Sequence, residues 1–126
     1  MKELTYQSEK ITFASGTAER TYRTEFILNS GYERCIGIAV IESQTGGISS
    51  YRVGLEDNSG NVLISPVHKN FLQSDKAAGL KLENRVLPVN IKAGGQKIKV
   101  ITEIPTALTA DLEYDIVFVL EREKAN

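Results

Sequence analysis

The sequence predicts an all-β protein, an antiparallel β-sandwich of about eight strands, and three observations carry that expectation. Leu112 to Glu121 alternates like a strand: Leu112, Tyr114, Ile116, Phe118 and Leu120 share one side, and β-branched and aromatic residues dominate. Turn-forming clusters of Gly, Asn, Asp and Ser recur about every 8 to 12 residues. A helical period is almost absent, with one short stretch near Ser74 as the exception. In the last strand Glu113 and Asp115 give way to Val117 and Val119 on the second side. A strand that becomes apolar on both sides belongs in the middle of a sheet or at a contact with another chain.

The other elements follow in order. Met1 to Ser8 is polar and reads as an arm or a first edge strand. Lys10 to Ala14 alternates through Ile11 and Phe13 and is closed by Ser15-Gly16-Thr17. Arg20 to Asn29 sets Tyr22, Phe26 and Leu28 against Thr21, Arg23 and Glu25. Glu33 to Glu42 is apolar on both sides: Ile36, Ile38 and Val40 form the bulky one, Cys35, Gly37 and Ala39 the small one. Small side chains admit a close neighbour, either the opposing sheet or another subunit.

Ser43 to Ser50, with Gly46 and Gly47, is long for a hairpin loop. Tyr51, Val53 and Leu55 resume the alternation, and Glu56 to Asn61 turns the chain into Val62-Leu63-Ile64. Asp57 and Asn58 suit the early positions of such a turn and Gly60 its positive φ. Pro66 is expected to end that strand, leaving Val67 to Leu72 as a short extended piece. Gln73 to Gly79 admits one helical turn capped by Ser74. Leu80 to Ile91 changes phase near Asn84 and Arg85, as a bulge or an edge strand would. Lys92 to Gln96, with Gly94 and Gly95, is a loop. Ile98, Val100 and Ile104 supply the next strand, and Pro105 to Ala110 leads into the last one. Residues 122–126 read as a charged tail, and residues 1–126 as one domain.

The totals narrow the function. At 126 residues the chain can bury a core without staples, and 41% hydrophobic with 25% charged residues is ordinary for a globular protein. Fifteen basic and 16 acidic residues give a net charge of −1, with no basic stripe for direct nucleic-acid binding. No apolar run approaches the length that inserts into a membrane, and the N-terminal residues lack the apolar core of a signal peptide, so a cytoplasmic origin is expected. Cys35 is the single cysteine and His68 the single histidine, which removes internal disulfides and multi-ligand Cys/His metal sites.

The residues that could carry chemistry read more simply as structure. Cys35 sits in an apolar run as an inert thiol. Glu113 and Asp115 are two apart on one strand face, roughly 6 to 7 Å from strand rise alone, which any solvated sheet produces. Asp57 to Asn61 lacks the donor spacing of a calcium loop. Neither glycine pair has the spacing that cradles a phosphate. Tyr22, Tyr51 and Tyr114 fit inward positions, leaving Tyr6 and Tyr32 near the terminus and a loop. The residues therefore predict no enzyme, no cofactor and no metal, but a binding or building module. Val117, Val119, Cys35, Gly37 and Ala39 are the candidate assembly face. Gly46, Gly47, Gly94 and Gly95 mark the candidate ligand loops of the alternative, a carbohydrate- or receptor-binding sandwich.

From about Lys10 to Glu121 the chain resembles the small single jelly-roll proteins of bacteriophage virions, the capsid, penton and decoration subunits. The similarity lies in strand count, strand length and turn placement. Val86 to Ile91, the Lys92 to Gln96 loop and Lys97 to Val100 are similar in style to late hairpins of that fold. The resemblance implies a jelly-roll-like sandwich that assembles with copies of itself and with other virion proteins, located in the virion after synthesis in a host cytoplasm.

Overall fold

The computed structural model describes residues 2–72 and 86–123. Eight strands and one helical turn follow in order: β1 (Lys2–Phe13), β2 (Arg20–Ile27), β3 (Arg34–Thr45), β4 (Arg52–Asp57), β5 (Val62–His68), α1 (Lys69–Leu72), β6 (Leu87–Lys92), β7 (Lys97–Ile104) and β8 (Leu112–Glu123). One sheet has the order β1-β8-β3-β6 and the other β2-β7-β4-β5, and every pairing is antiparallel. The strands are nested: first lies beside last, second beside seventh, third beside sixth, fourth beside fifth. This is a jelly-roll-like sandwich, a long hairpin rolled into two layers.

The alternation explains the core. Ile38 and Val40 of β3 and Ile116, Phe118 and Leu120 of β8 face Val53, Leu55, Val100 and Ile104 of the opposite sheet, all buried. β8 lies between β1 and β3, so its centre is covered on both sides. Tyr51 and Tyr114 stack across the layers with ring centroids 5.5 Å apart.

Several expectations need correction. Of the two forms expected for the N-terminal stretch, the edge strand holds and the arm does not: Lys2 to Ser8 runs on through Glu9 to Phe13 as one twelve-residue strand paired with β8 throughout. At the other end Arg122 and Glu123 belong to β8 rather than to a tail. Pro66 does not end β5. It sits at a bulge on an edge strand, where a missing N–H costs the ladder nothing. The bulged backbone presses on β4: a Cβ at Gly54 would lie 2.6 Å from the Ile64 carbonyl oxygen and 2.8 Å from the Pro66 nitrogen. Lys69 to Leu72 is a helical turn, not an extended piece. The turn expected over 73–79 with its Ser74 cap, and the phase change at Asn84 and Arg85, lie outside the described residues.

The loops gather at two ends. At one, Gly16 donates to the Leu108 carbonyl, Gly46 to that of Asp111, and Thr109 to that of Gly46. At the other, Ala93 and Gly94 donate to Glu33 and Tyr32. Gly46 and Gly47 both have φ of 71°, and a Cβ on Gly47 would overlap the Thr109 hydroxyl. Gly47→Ala should therefore cost about 2–3 kcal/mol, from left-handed strain plus steric conflict. Gly95→Ala, whose Cβ would meet only Ser30 at 3.6 Å, should cost about 1 kcal/mol. Urea midpoints of the two variants test the difference.

Candidate interaction surface

The proposed assembly residues divide between the two faces of the first sheet. Gly37 pairs with Val119 and Ala39 with Val117 in the β3–β8 register, so these four lie together on the outer face. Cys35 does not join them. A bulge between Cys35 and Gly37 reverses the phase and turns Cys35 into the core with Ile38 and Val40. There burial pushes its thiol from the ordinary 9.0 up to about 11, which leaves it protonated and inert at neutral pH.

The outer strip is already covered within the chain. Val117 is 6% exposed, Val119 1% and Ala39 fully buried. Val86 supplies part of the cover, because a Cβ on Gly37 would come within 2.7 Å of its Cγ2. What reaches solvent lies next door on β1. The register sets Tyr6 beside Val119, Ser8 beside Val117 and Leu4 beside Glu121. Leu4 is 46% exposed and Tyr6 47%. Charged pairs rim this apolar surface: Lys10 with Glu113 at 2.9 Å, and Lys2 with Glu123 at 2.8 Å and Glu121 at 3.4 Å. An apolar centre with a polar rim is the anatomy of a protein interface.

The candidate ligand loops are not brought together. Gly46 and Gly47 lie at the end that holds the β7–β8 loop, Gly94 and Gly95 at the opposite end beside Tyr32. Tyr32 packs against the core and carries the Arg122 guanidinium 4.7 Å from its centroid. Glu113 is engaged by Lys10, and Asp115 stands opposite that lysine in the register. Asp57 spends its carboxylate on the hairpin turn: the Asn61 backbone first, then the Asn61 side chain and the Ser59 and Gly60 amides, hold it below the usual carboxylate range. Among the described residues no three His, Cys, Asp or Glu side chains are grouped as a metal would need. The exposed His68 accepts a hydrogen bond from the Asn70 amide through Nδ1.

One buried polar cluster was missed in the sequence. Glu42 Oε2 accepts from Lys69 Nζ at 2.6 Å and from the Tyr51 hydroxyl at 2.9 Å. Both charged side chains are nearly enclosed, 9% exposed for Lys69 and 11% for Glu42. Lys69 also lies 5.2 Å from the Tyr51 ring centroid, while the Tyr114 and Thr102 hydroxyls share a hydrogen bond of 2.7 Å. Burial first, then the Glu42 carboxylate, raises Tyr51 far above its ordinary range; burial does the same to Tyr114. These phenols keep their protons at neutral pH, and the cluster ties two sheets and α1 together. A signal did exist: Glu42 shares parity with Ile38 and Val40 and so continues the inward face.

An open groove of about 610 Å³ lies at the same end, lined by Glu19, Arg20, Thr21, Arg52, Glu103 and Pro105 among others. Arg23 pairs with Glu56, and Arg122 with Glu3, whereas Arg20 and Arg52 have no carboxylate within 4.0 Å among the described residues.

No protein-family model matches the chain, and no curated protein matches its sequence. Solved structures are similar in shape. The capsid asymmetric unit of cyanophage Pam1 matches 97% of this chain and 85% of its own, at 13% identity and a TM-score of 0.50. The acid-stable capsid of Helicobacter pylori bacteriophage KHP30 matches 98% and 100%, at 14% identity and 0.41. The C-terminal domain of EclA, a sugar-binding protein, matches 92% and 79%, at 16% identity and 0.37. The fold thus resembles that of the cyanophage Pam1 capsid.

Proposed function

We propose that this chain, taken as one domain over residues 1–126, is a non-enzymatic structural protein of a virus or phage particle. It would act through contacts with copies of itself and with other particle proteins. The observation that carries the reading is the outer face of the first sheet, where Leu4 and Tyr6 extend a covered apolar strip to solvent between two charged rims. The jelly-roll-like strand order and the similarity of fold to a cyanophage capsid support it, although fold alone does not assign function. Direct nucleic-acid contact has no place in the reading, and neither does membrane insertion. Sedimentation and electron microscopy of the purified chain test it. Discrete oligomers or shell fragments are expected; a strict monomer that binds no particle protein would refute it.

The groove favours a second reading, carbohydrate binding, because Glu19, Glu103, Arg20 and Arg52 line it with no ion-pair partner among the described residues, and such groups can bond to adjacent sugar hydroxyls. Dose-dependent binding on a glycan array that is lost in Arg52→Ala would move the assignment there.

A further inference from the structure

β1 is an edge strand of the first sheet. β1 pairs with β8 along one side, and among the described residues no backbone group bonds to its other side. Of the six exposed large hydrophobics among the described residues, Leu4 and Tyr6 stand on this strand, and Ile27 stands just across the seam to the second sheet. Gln7 closes that seam, its amide donating to the Ile27 carbonyl at 3.0 Å and accepting from the Asn29 amide at 2.9 Å. A long edge with apolar residues beside it pairs with a further strand unless it is blocked. Here Lys2 and Glu3 guard one end and Glu9 and Lys10 the other, leaving Leu4 to Ser8 uncharged.

We propose that two copies of this chain pair β1 with β1 across a two-fold axis at Thr5, joining their first sheets into one continuous sheet. The charge pattern selects the register. Outer faces coincide only when paired positions have the same parity. Centring on Tyr6 would set Lys2 against Lys10 and Glu3 against Glu9, like charge on like charge. Centring on Gln7 would set Leu4 against Lys10 and Thr5 against Glu9, and would bring together two glutamines already committed to Ile27 and Asn29. Centring on Leu4 pairs only residues 2–6. Centring on Thr5 pairs residues 2–8, places Leu4 of each copy opposite Tyr6 of the other, and opposes no like charges. Such a contact is isologous and closes on itself, so it forms a dimer rather than a fibre.

This pairing rests on the assembly reading above, and the test separates the two. The full chain is compared by sedimentation over a range of concentrations with two double variants at the half-exposed positions. Leu4→Lys with Tyr6→Lys opposes like charges twice and should weaken the dimer on the order of a hundredfold. Leu4→Lys with Tyr6→Glu opposes unlike charges at the same sites and should stay within about tenfold of the parent. Independently of any variant, amide exchange in residues 3–7 should slow as the parent is concentrated. An oligomer that neither double variant weakens, or that both weaken equally, or whose β1 amides gain no protection, overturns the β1 pairing and leaves assembly standing. A parent that stays monomeric and meets no particle protein overturns both.

Discussion

Glu42→Leu is expected to destabilise the protein by about 3–5 kcal/mol, a large share of what a small domain has in hand. The substitution leaves the Lys69 ammonium, 9% exposed, without the one carboxylate that pairs with it among the described residues, and it removes the acceptor of the Tyr51 hydroxyl. An isolated ammonium in such surroundings keeps most of its desolvation cost and loses the attraction that offset it. The complementary double variant, Glu42→Leu with Lys69→Met, removes both charges and should recover most of the loss. Urea unfolding of parent, singles and double gives the coupling energy directly. Singles within about 1 kcal/mol of the parent would show that solvent reaches the pair and that it does not hold α1 to the sandwich.

Val117→Asp is the second large effect, at about 3 kcal/mol or more. Val117 is 6% exposed on the outer face, between Ser8 of β1 and Ala39 of β3, with Asp115 two residues away on the same side. No described cation lies opposite that position, so the new carboxylate would be buried unpaired beside a like charge. Val117→Thr, which exchanges one methyl for a hydroxyl, should lose about 1–2 kcal/mol. Thermal melting of the two variants tests the account. An unchanged melting temperature for the aspartate variant would mean that the strip is not covered in solution.

Parity along single strands carried far into this structure. It placed Leu112, Tyr114 and Ile116 inside and Val117 and Val119 outside, and applied one step further it would have placed Glu42 inside as well. It failed at the bulge between Cys35 and Gly37, because a bulge is set by the neighbours β8 and β6, and strand partners are not written locally. Pro66 misled for the same reason: a proline breaks an interior ladder but not an outermost strand, and which strands are outermost depends on the whole arrangement. Lys69 gave no signal at all, since its burial comes from the way α1 sits across the sandwich end. The separation of Gly46 and Gly47 from Gly94 and Gly95 was equally hidden, because loops meet according to the strand order that lies between them.

The nested pairing also bears on how the chain acquires its structure. Among the paired strands described, only β4 and β5 follow one another in sequence, so each further pair must close a longer stretch of chain, until β1 meets β8. Entropy of closure then accumulates before the widest pairs can form, and slow, late completion is the expected kinetic signature. During synthesis β1 and β3 emerge long before the strand that separates them, and both must wait with adhesive backbone exposed until β8 leaves the ribosome.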